Sequence, residues 1–265
     1  MKLYVLDNGK IVMSANNNVT LEGAESDEIP AIPIHSFLLD TPAGYVVFDC
    51  ACDPEGMSGS WPQWMTLNPY IAGENGSVTD QLALAGVRPE EVSYVVMSHL
   101  HVDHVGCLPA FTNAKVYVGQ KELVEVLKGY AEGTLGTPGN FHLRSDVENC
   151  LKAGIRWCPL DEDIRELKIC DGVTVLNLGS GHSFGMLALA VELECGNYLL
   201  AADNIYSRDH FGPPAQMAGV CCDEEGYYKI IEVLRSYAQE HHCEVLFGHD
   251  MAQYKTLKKV PEFYE

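Results

Sequence analysis

Residues 98–106 read SHLHVDHVG and place three histidines and an aspartate within six positions, directly after the apolar run YVVM. In an extended strand end side chains alternate, so His99 and His101 share one side and can reach one metal ion together. The turn beyond presents Asp103 and His104 toward a second position. Neutral imidazole nitrogens and carboxylate oxygens bind zinc at about 2.0–2.2 Å, and side chains packed this closely can serve two neighbouring ions. The spacing itself predicts two metals. Burying three imidazoles and a carboxylate without partners would cost on the order of several kcal/mol, so chance accumulation is a poor explanation of the cluster. For the isolated His35, His142, His210, His241 and His242 a structural role is the expectation.

The cluster must be held by a core, and the chain has the material for one. Short β-branched runs bounded by turn residues recur: HSFLLD, GYVVFD, SYVVMSHL, AKVYVG, GVTVLNLG, MLALAVEL, NYLLAAD and EVLFGHD. These read as strands. Between them VTDQLALAG and QKELVEVLKGYAEG read as helices, and residues 224–241 put Tyr227, Ile230, Ile231, Leu234 and Ala238 on one helical face. TPAG and ECGN supply turn residues between adjacent strands, which predicts two antiparallel hairpins. Each hairpin closes on an aspartate, Asp49 or Asp203, which hints at two similar halves. Residues 57–77 and 133–146 do not read as regular elements. The first carries Trp61, Trp64, Met65, Tyr70 and Ile71, which either pack on the core or wall an apolar substrate.

At 265 residues the chain suits one large domain, residues 1–265. Seventeen Lys and Arg against thirty-seven Asp and Glu give a formal charge of −20, which repels phosphate backbones and anionic membrane surfaces. Nucleic acid and membrane are therefore not expected as partners. No apolar stretch reaches the roughly 20 residues a bilayer requires, and the first ten residues lack a signal-peptide core. A cytoplasmic location with the ten cysteines as reduced thiols is expected.

With those residues in place, the sequence resembles the metallo-β-lactamase superfamily, whose H-x-H-x-D-H signature stands here as His99, His101, Asp103 and His104. GSGHSFG offers His182, LLAADN offers Asp203 and LFGHD offers His249, in the order of the family's remaining ligands. The resemblance implies the α/β fold of that family, an αββα sandwich of two mixed sheets with outer helices and the metals at one end of the sheets. It implies that His99, His101 and His182 hold one metal, that Asp103, His104 and His249 hold the other, and that Asp203 bridges them. The bridging carboxylate speaks against the β-lactamases of the superfamily, and His101 against its oxygen-reducing members.

Within the superfamily IPIHSFLLDTPAGYVVFD, VRPEEVSYVVMSHLHVDHVG and ADNIY are similar to the N-acyl homoserine lactonases and related lactone hydrolases. That similarity implies a hydrolase that opens the ester ring of a lactone, most closely an N-acyl homoserine lactone, by attack of a hydroxide bridging two divalent ions about 3.5–4 Å apart. Tyr206, three residues after Asp203, would stabilise the developing oxyanion. Asp103 would serve either as a ligand alone or as both ligand and carrier of the proton to the leaving oxygen. Asp49 would orient a ligand imidazole, with Asp250 a weaker candidate for the same role. Zinc suits the donors, as do iron, manganese and cobalt. Two departures stand out: DCACD replaces the family's small turn after Asp49, and Val102 occupies a position where several relatives carry an aromatic. A different lactone, or a thioester of the glyoxalase II type, is the alternative substrate, and the protein is expected as a monomer or homodimer.

Overall fold

The computed structural model describes residues 1–12, 31–73 and 75–265. One sheet contains β1 (Lys2–Val12), β2 (Ala31–Thr41), β3 (Gly44–Phe48), β4 (Tyr70–Ile71), β5 (Val92–Val96), β6 (Lys115–Gly119) and β7 (Arg156–Leu160). Their spatial order is β4-β1-β2-β3-β5-β6-β7. The other contains β8 (Glu166–Cys170), β9 (Val173–Gly179), β10 (Met186–Leu193), β11 (Gly196–Ala202) and β12 (Cys243–Phe247), in the order β12-β11-β10-β9-β8. The helices are α1 (Val78–Leu84), α2 (Val102–Val105), α3 (Gln120–Glu132), α4 (Arg144–Ala153), α5 (Arg208–Phe211), α6 (Glu224–Glu240) and α7 (Met251–Tyr254).

The layering follows from strand periodicity. In β10, Leu187, Leu189 and Val191 join the apolar layer between the sheets, while Met186, Ala188 and Ala190 face the opposite way into the layer under α6. In β1, Leu3 and Val5 point between the sheets, and Tyr4 and Leu6 point outward into the layer that includes residues of α1, α3 and α4. Strands buried on both faces must read as continuous apolar runs rather than alternating ones. The helix over 224–240 buries Tyr227, Ile230, Ile231, Leu234 and Ala238, as its sequence spacing predicts. The result is the αββα sandwich, and no described helix is long and apolar enough to cross a membrane.

Both expected hairpins form. TPAG closes β2 on β3 with Thr41 opposite Gly44, and ECGN closes β10 on β11 with Leu193 opposite Gly196. The second strand of each hairpin then pairs in parallel with a later strand, β3 with β5 and β11 with β12. Asp49 and Asp203 therefore leave corresponding strand ends, one in each sheet. The chain bends sharply at both places, with φ of 61° at Asp49 and 45° at Ala202.

Four strands (β1, β4, β7 and β8) and four helices (α2, α4, α5 and α7) lie outside what the sequence pattern predicts. β1 hides its pattern because Asp7-Asn8-Gly9 is absorbed as a bulge between Asp7 and Lys10, with Gly9 at φ 99°. β7 and β8 are edge strands, which tolerate Pro159 and the charges of ELKIC. The irregular stretch expected over 133–146 ends at Leu143, where α4 begins. Residues 57–77 are only partly irregular, since they contain a one-turn helix Met65–Leu67 and β4.

Candidate metal centre

β5 stops at Val96, so His99 and His101 stand on the loop beyond it rather than on the strand itself. α2 starts directly after His101 and carries Asp103 and His104 in its single turn. The loop after β9 brings His182, the residue after β11 is Asp203, and the loop after β12 brings His249. These seven residues form two groups, His99/His101/His182 and Asp103/His104/Asp203/His249, each offering one ligand atom per residue within 4.8 Å of the others. All seven residues of the expected centre converge.

In the first group His101 Nδ1 lies 2.9 Å from both His99 Nε2 and His182 Nε2. In the second, Asp203 Oδ1 lies 3.0 Å from His249 Nε2 and 3.2 Å from His104 Nε2, and Asp103 Oδ2 lies 3.5 Å from His249 Nε2. The other Asp203 oxygen is 3.4 Å from His182 Nε2, so this carboxylate faces both groups. Gly248 makes room for it, because a Cβ there would come within 2.8 Å of Asp203 Oδ1 and 2.6 Å of the Ala202 carbonyl.

Four of the imidazoles are oriented through the nitrogen turned away from the centre. His104 Nδ1 lies 2.8 Å from Asp49 Oδ2, His182 Nδ1 2.8 Å from the Val220 carbonyl, His249 Nδ1 3.0 Å from the Pro33 carbonyl and His99 Nδ1 2.9 Å from Ser98 Oγ. This is the arrangement that metal-ligating histidines require. Asp49 also accepts from the Ser98 backbone N–H at 2.7 Å, as its expected positioning role demands. Asp250 acts elsewhere, capping α7 by accepting from Gln253 N–H at 2.9 Å and accepting from Arg208 N–H at 3.0 Å.

The residues fit divalent cations on two further counts. His104 Nε2 and Asp203 Oδ1 are buried and, although 3.2 Å apart, make no well-aligned hydrogen bond, an expensive condition unless a further partner satisfies them. Electrostatics divides the groups. Burial and neighbouring histidines hold His99 and His101 well below the ordinary imidazole range, leaving neutral nitrogens. Burial opposes charge on His104 and His249 too, but it is outweighed by Asp203 and Asp103, with Asp49 also acting on His104, so both are raised. Burial likewise opposes charge on Asp203, yet His249 and His104 keep its carboxyl well below the usual range. A cation entering the second group would take the place of those imidazole protons.

Tyr206 is buried against the centre, with its hydroxyl 3.4 Å from His182 Nδ1 and its ring 5.0 Å from that of His249. Burial, then Asp203 and Asp103, push its phenol well above the usual value, so it remains a hydrogen-bond donor. The cleft over the two groups is walled by Ile11, Ile32, Trp61, Met65, Val102 and Phe141. Trp61 and Met65 are 5% and 3% exposed and also belong to the outer core layer, so these two side chains of the 57–77 segment both pack on the core and face the cleft. The Asp-Cys-Ala-Cys-Asp turn lies beneath α2, where the Cys50 N–H donates to the His104 carbonyl at 2.6 Å. It displaces no ligand.

Sequence alone does not single out Glu122. It is fully buried beside the first group and lies 3.0 Å from His142 Nε2. Burial alone would raise its pKa, but His142, the Leu100 N–H and Ser183 outweigh that and lower it. His142 is thus a packed, partnered histidine, as expected, and its ring lies 4.5 Å from that of His101. Nothing in the periodicity of KELVEVLK separates Glu122 from a solvent-facing charge.

The sequence model described as the Metallo-beta-lactamase superfamily matches residues 29–215. Over 276 aligned residues the chain is 35% identical to N-acyl homoserine lactonase AiiB of Agrobacterium fabrum, covering 100% of this chain and 99% of that protein. It is 30% identical to N-acyl homoserine lactonase AttM of the same species, covering 100% and 98%. Among solved structures, a Bacillus thuringiensis AiiA variant with N-decanoyl-L-homoserine at its active site superposes with a TM-score of 0.81 at 22% identity, covering 99% of this chain and 98% of the other. AidC, a dizinc quorum-quenching lactonase bound to its product, superposes with a TM-score of 0.68 at 16% identity, covering 98% and 92%. The chain belongs to the metallo-β-lactamase superfamily, alongside the N-acyl homoserine lactonases.

Proposed function

We propose that the protein hydrolyses the ester bond of an N-acyl homoserine lactone ring. His99, His101 and His182 would hold one divalent cation, Asp103, His104 and His249 the other, with Asp203 shared and zinc the cation at both positions. The observation that carries the reading is the Asp203 carboxylate turned toward both groups, with one oxygen 3.0 Å from His249 Nε2 and the other 3.4 Å from His182 Nε2. Bound there, paired cations supply a water acidified to about pKa 7 and a Lewis acid for the carbonyl.

The chain's own residues account for the rest. The Tyr206 hydroxyl donates to the carbonyl oxygen as negative charge develops on it. As the water oxygen bonds to the carbonyl carbon, the ring C–O bond breaks and its electron pair leaves on the ring oxygen. Asp103, the more exposed carboxylate of the second group, takes a proton from the attacking water and passes it to that oxygen. The products are a carboxylate and an alcohol, with one proton released at neutral pH. Ile11, Ile32, Trp61 and Met65 line the cleft with apolar surface suited to an acyl chain and unsuited to a highly charged ligand.

Proton release from metal-loaded protein tests the reading, with homoserine lactones of short and long acyl chain set beside a plain γ-lactone and a glutathione thioester. Turnover of the acyl-homoserine lactones is expected. Silence on them with turnover of the thioester would overturn the substrate while leaving the centre intact.

A further inference from the structure

Three metal-group histidines stand on two loops that meet on a single carboxylate. Glu122, in the first turn of α3, is 0% exposed. Its Oε1 accepts from the Leu100 N–H at 2.9 Å, His142 Nε2 at 3.0 Å and Ser183 Oγ at 3.0 Å, and its Oε2 lies 2.8 Å from Ser183 Oγ and 3.1 Å from the Gly185 N. Leu100 lies between His99 and His101, and Ser183 adjoins His182. An acidic residue at this place in a helix ordinarily serves the orphan N–H groups of its own first turn. Every hydrogen bond of the Glu122 carboxylate leads away from α3 to a ligand-bearing loop or to His142.

The approach that makes this possible is built from glycine. A Cβ at Gly119 would come within 2.5 Å of the Gly185 carbonyl, and one at Gly185 within 2.7 Å of the Glu122 N. The start of α3 therefore rests directly on the loop carrying His182. A buried carboxylate is costly unless its lone pairs are filled, so the two loops are held where their donors reach it.

We propose that Glu122 is a positioning residue: by tying the His99/His101 loop to the His182 loop, it sets the cation affinity of the three-histidine group and leaves that of the aspartate-containing group alone. This rests on the two-cation reading above. Glu122→Gln keeps the shape but offers one oxygen and one NH2, so at least one set of donors faces another donor.

Competition of zinc with a chromophoric chelator reads the effect without any turnover. The wild type is expected to hold two equivalents, and Glu122→Gln to weaken one of them about 10–100-fold, the usual effect of losing an outer-shell partner. Glu122→Asp should recover part of the loss. His249→Ala should weaken the other equivalent, and combined with Glu122→Gln it should leave no tight equivalent. If Glu122→Gln does not unfold cooperatively, Ser183→Ala decides, with a smaller loss of the same equivalent expected. Wild-type constants in both variants, or equal weakening of both equivalents, would overturn the proposal. A wild type that binds no zinc would instead overturn the two-cation reading.

Discussion

Asp49 and His104, separated by 55 positions in sequence, meet through a 2.8 Å contact between the carboxylate Oδ2 and Nδ1 of the imidazole. The contact leaves Nε2 of His104 as the nitrogen turned toward Asp203, 3.2 Å away. Asp49→Ala should lower zinc affinity at the aspartate-containing group about 10–100-fold. Chelator competition measures this, and the three-histidine group should lose less, because Asp49 reaches it only through Ser98, whose Oγ donates to Asp49 at 2.7 Å and lies 2.9 Å from His99 Nδ1.

In the proposed reaction Tyr206 donates to the reacting oxygen and holds no cation. Tyr206→Phe should lower kcat on an acyl-homoserine lactone about 100-fold or more, the scale of one lost oxyanion donor. The zinc content, read by atomic absorption on the same sample, should stay at the wild-type value. Loss of zinc in step with activity would show that the phenol matters through the packing of its ring.

In the proposed reaction Asp103 is both a ligand and the proton carrier. Asp103→Asn should lower turnover far more than it changes KM, with zinc retained. Steady-state kinetics beside metal analysis decides it, and an equal loss of metal would reduce Asp103 to a ligand.

Asp146 provides a pH test away from the centre. In the first turn of α4, it is buried with Oδ2 unpartnered, and burial followed by Asp53 raises its pKa to about 8. An aspartate in the unfolded chain titrates near 3.9. Between those values the folded protein holds a proton that the unfolded chain has released, so stability is present at low pH and declines as pH rises toward about 8. Asp146→Asn removes that dependence. Its stability advantage should grow between about pH 4 and 8, by at most about 1.4 kcal/mol per unit, as read by urea unfolding across that range.

The sequence shows the centre unevenly, for physical reasons. His99, His101, Asp103 and His104 are legible because a loop and one helical turn pack four donors into a local motif. His182, Asp203 and His249 are single residues on separate strand ends, and only the order shared with a known family gathers them. Glu122 lies beyond both signals, because its meaning comes from contacts to Leu100 and to Ser183, 22 and 61 positions away. The strands buried on both faces, such as β10, are plain in the sequence. β1, interrupted by its Asn8-Gly9 bulge, and the polar edge strands β7 and β8 are not.

The most direct measurement of the central claim is product analysis after turnover of an N-acyl homoserine lactone in oxygen-labelled water. Hydrolysis at the ring carbonyl predicts N-acyl homoserine with the amide intact and the label in the carboxylate. Label in the new hydroxyl, or release of a free fatty acid, would contradict it.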